Sequence, residues 1–133
     1  MKKTLLMLTS LLLSSSLSAA DLKQWDRYEL TANALLAQFD KGEMANIAQN
    51  SKSLVALAKQ NILPDFAKLN PVCADYVQAI IDATEAMMAL SIEEIERDYH
   101  ADGKLPPMKQ PVCYHAKDML VHPATVFVLA TTQ

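Results

Sequence analysis

The three histidines of the chain, His100, His115 and His122, all fall between positions 100 and 122, and they share that stretch with Asp102, Cys113, Asp118 and Met119. Neutral imidazole is the commonest protein ligand for a metal ion. His115, Asp118 and His122 stand at i, i+3 and i+7, so a helix that reaches His122 carries all three on one face. Asp98-Tyr99-His100 precedes a loop leading back to that helix, which lets His100 fold over the same face and Asp98 complete the shell. Histidine and aspartate donors in such a place suit a divalent ion such as zinc or copper. The geometry is strict: with donors about 2.0–2.2 Å from zinc, the imidazole nitrogens must lie roughly 3–4 Å apart. Each histidine also has an ordinary explanation. His122 and His100 are natural helix-end residues, where a cation interacts favourably with the helix dipole, and His115 sits beside an exposed first turn.

Other chemistries find less support. Cys113-Tyr114-His115 is not the Cys-x-x-Cys-His attachment motif, so covalent haem is excluded. Non-covalent haem would need axial histidine or methionine, and Met44, Met87, Met88, Met108 and Met119 are available; Met44 and Met87, however, fall on apolar stripes, where methionine usually fills space. There is no Gly-x-Ser-x-Gly, and two glycines cannot build a phosphate-cradling loop. Glu93, Glu94 and Glu96 read as the solvated face of a short helix. No catalytic constellation emerges. The expectation is a non-catalytic binding or accessory protein acting on a periplasmic protein partner, without a cofactor. A recognition surface is expected around Tyr99 and Tyr114, beside a loop of Tyr, His, Asp, Gly and Pro. The alternative is a metal-ion or haem protein using His100, His115 and His122, with Asp118 or Asp98.

The start of the chain bears on the cysteines. Met1-Lys2-Lys3, the apolar stretch from Leu5 to Leu13 and Ser18-Ala19-Ala20 together read as an export signal over residues 1–20, giving a mature chain from Asp21. Its apolar part is shorter than the ~20 residues a membrane span needs. The net charge of −3 becomes more negative once Lys2 and Lys3 are removed, which argues against nucleic acid and anionic membrane surfaces as partners. Export to the periplasm places Cys73 and Cys113 in an oxidising compartment, where one pairing is possible. Their settings match, Pro71-Val72-Cys73 and Pro111-Val112-Cys113, and proline suits the first position of a helix. A bridge between them would clip two helix starts together.

The elements that must position these residues read as helices in one domain over residues 21–133. Leu22, Trp25, Ala32, Leu35, Leu36 and Phe39 trace one apolar stripe, ended by Asp40-Lys41-Gly42. A second helix runs from Glu43 to Asn61, with Pro64 expected to break the chain. A third starts at Asn70-Pro71 and continues to about Leu90. Ser91-x-x-Glu94 is a capping box opening a short helix. Ala101 to Gln110 is a loop, marked by Asp102-Gly103 and Pro106-Pro107. Pro111 opens a last helix expected to stop near Val121, because His122 precedes Pro123. Ala124 to Ala130 is expected as a short helix or extended segment packed on the rest. The fold class is therefore all-α, an antiparallel bundle of about four main helices with one disulfide.

Overall fold

The computed structural model describes residues 19–132, so the expected export signal lies, but for its last two residues, outside the described residues. The described chain contains helices and turns and no strand. The longer helices are α1 (Ala19–Phe39), α2 (Met44–Leu57), α4 (Ala74–Met87) and α6 (Pro111–Thr131), with the shorter α3 (Leu63–Leu69) and α5 (Ile92–Ile95) between them. No helix among the described residues is long and apolar enough to cross a membrane.

Helices α1 and α2 form an antiparallel hairpin. The turn between them depends on Gly42, whose φ of +67° is a left-handed conformation that glycine adopts without strain. Asn50 of α2 reaches back to Gln38 of α1 at 2.9 Å. Leu35, Ile47 and Leu54 seal the hairpin against Val126 and Ala130 of α6. Two further residues of the α1 stripe are not covered: Leu36 is 64% and Phe39 50% exposed.

The main core lies between α2, α4 and α6. Val55, Leu63, Val77, Ile80, Met87, Ile95, Leu120 and Val121 fill it, and both cysteines are part of it. Cys73 and Cys113 form a disulfide with their Cα atoms 5.3 Å apart. Helices α4 and α6 therefore start side by side, whereas α1 and α2 meet head to tail. Ser91 caps α5 as expected: its hydroxyl accepts from the Glu94 amide while the Glu94 carboxylate accepts from the Ser91 amide.

Two prolines behave differently from expectation. Pro64 does not break the chain. A π turn over Ala58–Ile62 joins α2 to α3, and in it the Leu63 amide donates to the Ala58 carbonyl. Pro64 lies directly after this widened turn, just inside α3, and the helical path continues through it. Pro123 does not end α6 either; the helix runs on to Thr131, and the Ala124–Ala130 segment is part of it. Proline 123 leaves the carbonyl of Met119 without its helical donor. The Tyr28 hydroxyl of α1 supplies one instead, at 2.5 Å. Tertiary contact here outweighs the local preference of a residue before proline.

Candidate metal centre

A second π turn, Glu96–His100, ends the α5 segment and aims His100 at the flank of α6. The His100 and His122 Nε2 atoms are 3.4 Å apart, and their ring centroids 5.4 Å. One turn before His122 on α6, Asp118 places an Oδ1 oxygen 3.7 Å from His122 Nε2. The three donor atoms all lie within 4.8 Å of one another. The two nitrogens thus sit at the separation expected for imidazoles sharing one ion about 2.0–2.1 Å away.

The surrounding hydrogen bonds orient the donors. His100 Nδ1 lies 3.0 Å from Glu96 Oε1, one turn earlier. An ionised carboxylate only accepts, so Nδ1 is the donor of this pair, and it is the neutral imidazole with that tautomer whose Nε2 would present a lone pair toward His122. A carboxylate behind a histidine is the usual outer partner of a ligating imidazole. The Tyr114 hydroxyl lies 3.4 Å from the same Nε2. Asp118 Oδ1 is buried and has no hydrogen-bond partner among the described residues. An orphaned carboxylate oxygen is costly unless something else satisfies it. With neutral imidazoles, Glu96 and Asp118 give the cluster an acidic character that favours a cation. The His122 side chain is 60% exposed, so one side of the cluster is open to solvent.

A buried network underlies His100. Lys117 is fully buried, and its ammonium donates to the His100 carbonyl at 2.7 Å and to Asp102 Oδ1 at 2.8 Å. The same ammonium lies 3.7 Å from the centroid of the Tyr114 ring. Asp102 also accepts from the Tyr76 hydroxyl at 2.7 Å. Burial and the Asp102 carboxylate push the Tyr76 phenol well above its ordinary range, so it stays a donor. Asp102 holds this place with a φ of +63°, which aspartate tolerates better than most residues. Gly103 then packs against the Arg97 carbonyl, where any Cβ would come within 2.4 Å of the oxygen.

The remaining expected residues lie elsewhere. His115 is exposed and outside the cluster, its ring edge-on to Tyr114 with centroids 6.2 Å apart. Asp98 is turned away and held by Arg97 at 2.7 Å and Lys104 at 2.9 Å; these two cations pull its carboxyl down to about 2. Tyr99 is buried in the main core instead of lying on a recognition surface, and Tyr114 is half-buried over Lys117. Lys117 and Glu96 are the participants that sequence reasoning missed. Lys117 had a visible signal, because Cys113, Lys117, Leu120 and Ala124 follow the spacing of one buried stripe. Glu96 stands four residues before His100, the spacing of neighbours on a helix.

The chain matches no protein-family model, no curated protein and no solved structure.

Proposed function

We propose that the protein binds a divalent transition-metal ion through His100 Nε2, His122 Nε2 and Asp118 Oδ1. The observation that carries this reading is the convergence of two imidazole nitrogens, 3.4 Å apart, with a buried carboxylate oxygen that has no hydrogen-bond partner among the described residues. Two nitrogens and one oxygen suit zinc or copper(II). A third donor beside the imidazoles fits a bare ion better than a haem held between them. The test is calorimetric titration of chelator-stripped protein with Zn2+ and with Cu2+. One ion per chain is expected. His122→Ala should weaken binding by roughly tenfold or more, and His115→Ala should leave it nearly unchanged. Absence of stoichiometric uptake, or equal losses in the two variants, would refute the assignment.

A second reading, an exported accessory protein acting through a protein surface, is favoured by the uncovered apolar side chains of α1. Leu30 is 69%, Leu36 64% and Phe39 50% exposed. Aromatic and aliphatic side chains left in water on one helix are a common anchor for a partner. Leu36→Asp with Phe39→Ser should abolish co-purification of a partner from a periplasmic extract without changing the helical spectrum. A partner retained by that variant would rule out this face.

A further inference from the structure

The metal ligands come from two separate segments. Asp118 and His122 lie one turn apart on α6, and the helix itself fixes their spacing. His100 belongs to a π turn that meets α6 from outside, so its distance from the other two depends on what ties that turn to α6. Lys117 Nζ does so through the His100 carbonyl at 2.7 Å and, two residues beyond it, through Asp102 Oδ1 at 2.8 Å, beside a longer 3.4 Å approach of the Tyr114 hydroxyl to His100 Nε2. Asp102 is in turn held by Tyr76 of α4. Tyr76 stands one turn after Cys73, and Lys117 one turn after Cys113. The disulfide therefore joins the two helix starts that carry the two donors to Asp102.

We infer that the Cys73–Cys113 bridge sets the affinity of the metal site, acting through Tyr76, Asp102 and Lys117 as positioning residues for His100. The inference rests on the metal-binding reading. Metal–ligand bonds tolerate errors of only about 0.5 Å in donor placement. Without the bridge, α4 and α6 are held together at this end by packing and by the bonds that Tyr76 and Lys117 make to Asp102, and these two donors no longer approach Asp102 from positions fixed by a covalent link. His100 then drifts from His122, while Asp118 and His122 keep their places on α6. A three-donor site becomes a two-donor one.

The experiment compares Cu2+ binding to the wild-type chain, to the double variant Cys73→Ala with Cys113→Ala, and to Tyr76→Phe. Affinity is read by titration, and the number of coordinated imidazoles by electron paramagnetic resonance of the bound Cu2+. The alanine pair avoids free thiols, which would themselves take up copper. In the wild type two imidazoles are expected. The double variant should bind roughly tenfold or more weakly, with one imidazole, while its helical circular dichroism persists. Tyr76→Phe, with its bridge intact, should lose affinity by a smaller factor, and Tyr76→Phe protein should also show a weakened second imidazole signal. A merely less stable protein would not change that count. If the double variant keeps wild-type affinity and both imidazoles, the inference is overturned and the metal reading stands. If the wild-type chain takes up no Cu2+, both fall together. If the double variant loses its helicity, Tyr76→Phe decides: unchanged affinity and imidazole count overturn the inference.

Discussion

The Tyr28 hydroxyl donates to the Met119 carbonyl across the α1–α6 contact, filling the place of the amide that Pro123 lacks. The bond gives the freed carbonyl of a proline-containing helix a donor and ties α1 to α6. Tyr28→Phe removes the hydroxyl and leaves a part-buried carbonyl unsatisfied. The expected loss is about 1–3 kcal/mol in chemical denaturation.

The same tyrosine gives the protein an alkaline limit. Burial raises the Tyr28 phenol from its ordinary value of 10.0 to about 12. The folded state holds the proton more tightly than the unfolded one, so the contribution is complete below pH 10 and lost as pH rises toward 12. Stability of the wild type should fall over that window, and Tyr28→Phe should lose less across it. Parallel pH profiles for the two proteins would contradict this.

Lys117 and Asp102 should respond unequally to neutralisation. Asp102→Asn keeps the left-handed backbone accessible but leaves a fully buried ammonium without its carboxylate. Breaking such a pair from one side costs about 3 kcal/mol. Lys117→Met removes the buried charge instead, and the Asp102 left behind is partly exposed and still bonded to Tyr76. The Lys117→Met protein should therefore be the more stable of the two in urea, and the reverse order would show that the ammonium has another source of compensation.

Gly103 is a steric requirement, not a flexible joint. Its amide donates to the Arg97 carbonyl at 3.1 Å, and a Cβ would clash with that same oxygen. Gly103→Ala should displace the loop, cost about 1–3 kcal/mol and weaken metal binding through Asp102. An unchanged melting temperature would mean that the loop moves freely.

The disulfide should contribute to stability independently of any ligand. Cys73→Ala is expected to cost about 2–4 kcal/mol, because it frees a loop that the cross-link closes in the unfolded chain. Intact protein should show no free thiol until it is reduced, with a mass gain of two hydrogens afterwards.

Much of this architecture is legible in the residues. The matched Pro-Val-Cys segments indicate the disulfide and the helix starts it joins, and Ser91 with Glu94 marks a helix cap correctly. What failed was local inference at Pro64 and Pro123, where the helical path continues after a π turn at the one and beside a hydroxyl from a distant helix at the other. Neither feature has a local signature. The α1 stripe reads as buried by its periodicity, yet Leu36 and Phe39 are exposed, because periodicity gives a face and not what covers it. For the site, sequence spacing brings Asp118 and His122 together but also admits His115. Only the direction of the approaching π turn selects between them. Asp98 and His100 are two residues apart and point to different partners for the same reason.

The π turn over Glu96–His100 has a further consequence for how the cluster can be gained or lost. Such a turn holds one residue more than a regular helical turn, and each residue of a helix advances the chain by about 100° around its axis. Deleting a single residue there would restore regular pitch and swing His100 away from His122 with every ligand still encoded. An insertion or deletion of one codon is thus a sharper change to this protein than most substitutions of a ligand's neighbours. Among related chains, length at this turn would discriminate those that keep the donor pair better than the presence of the histidines themselves.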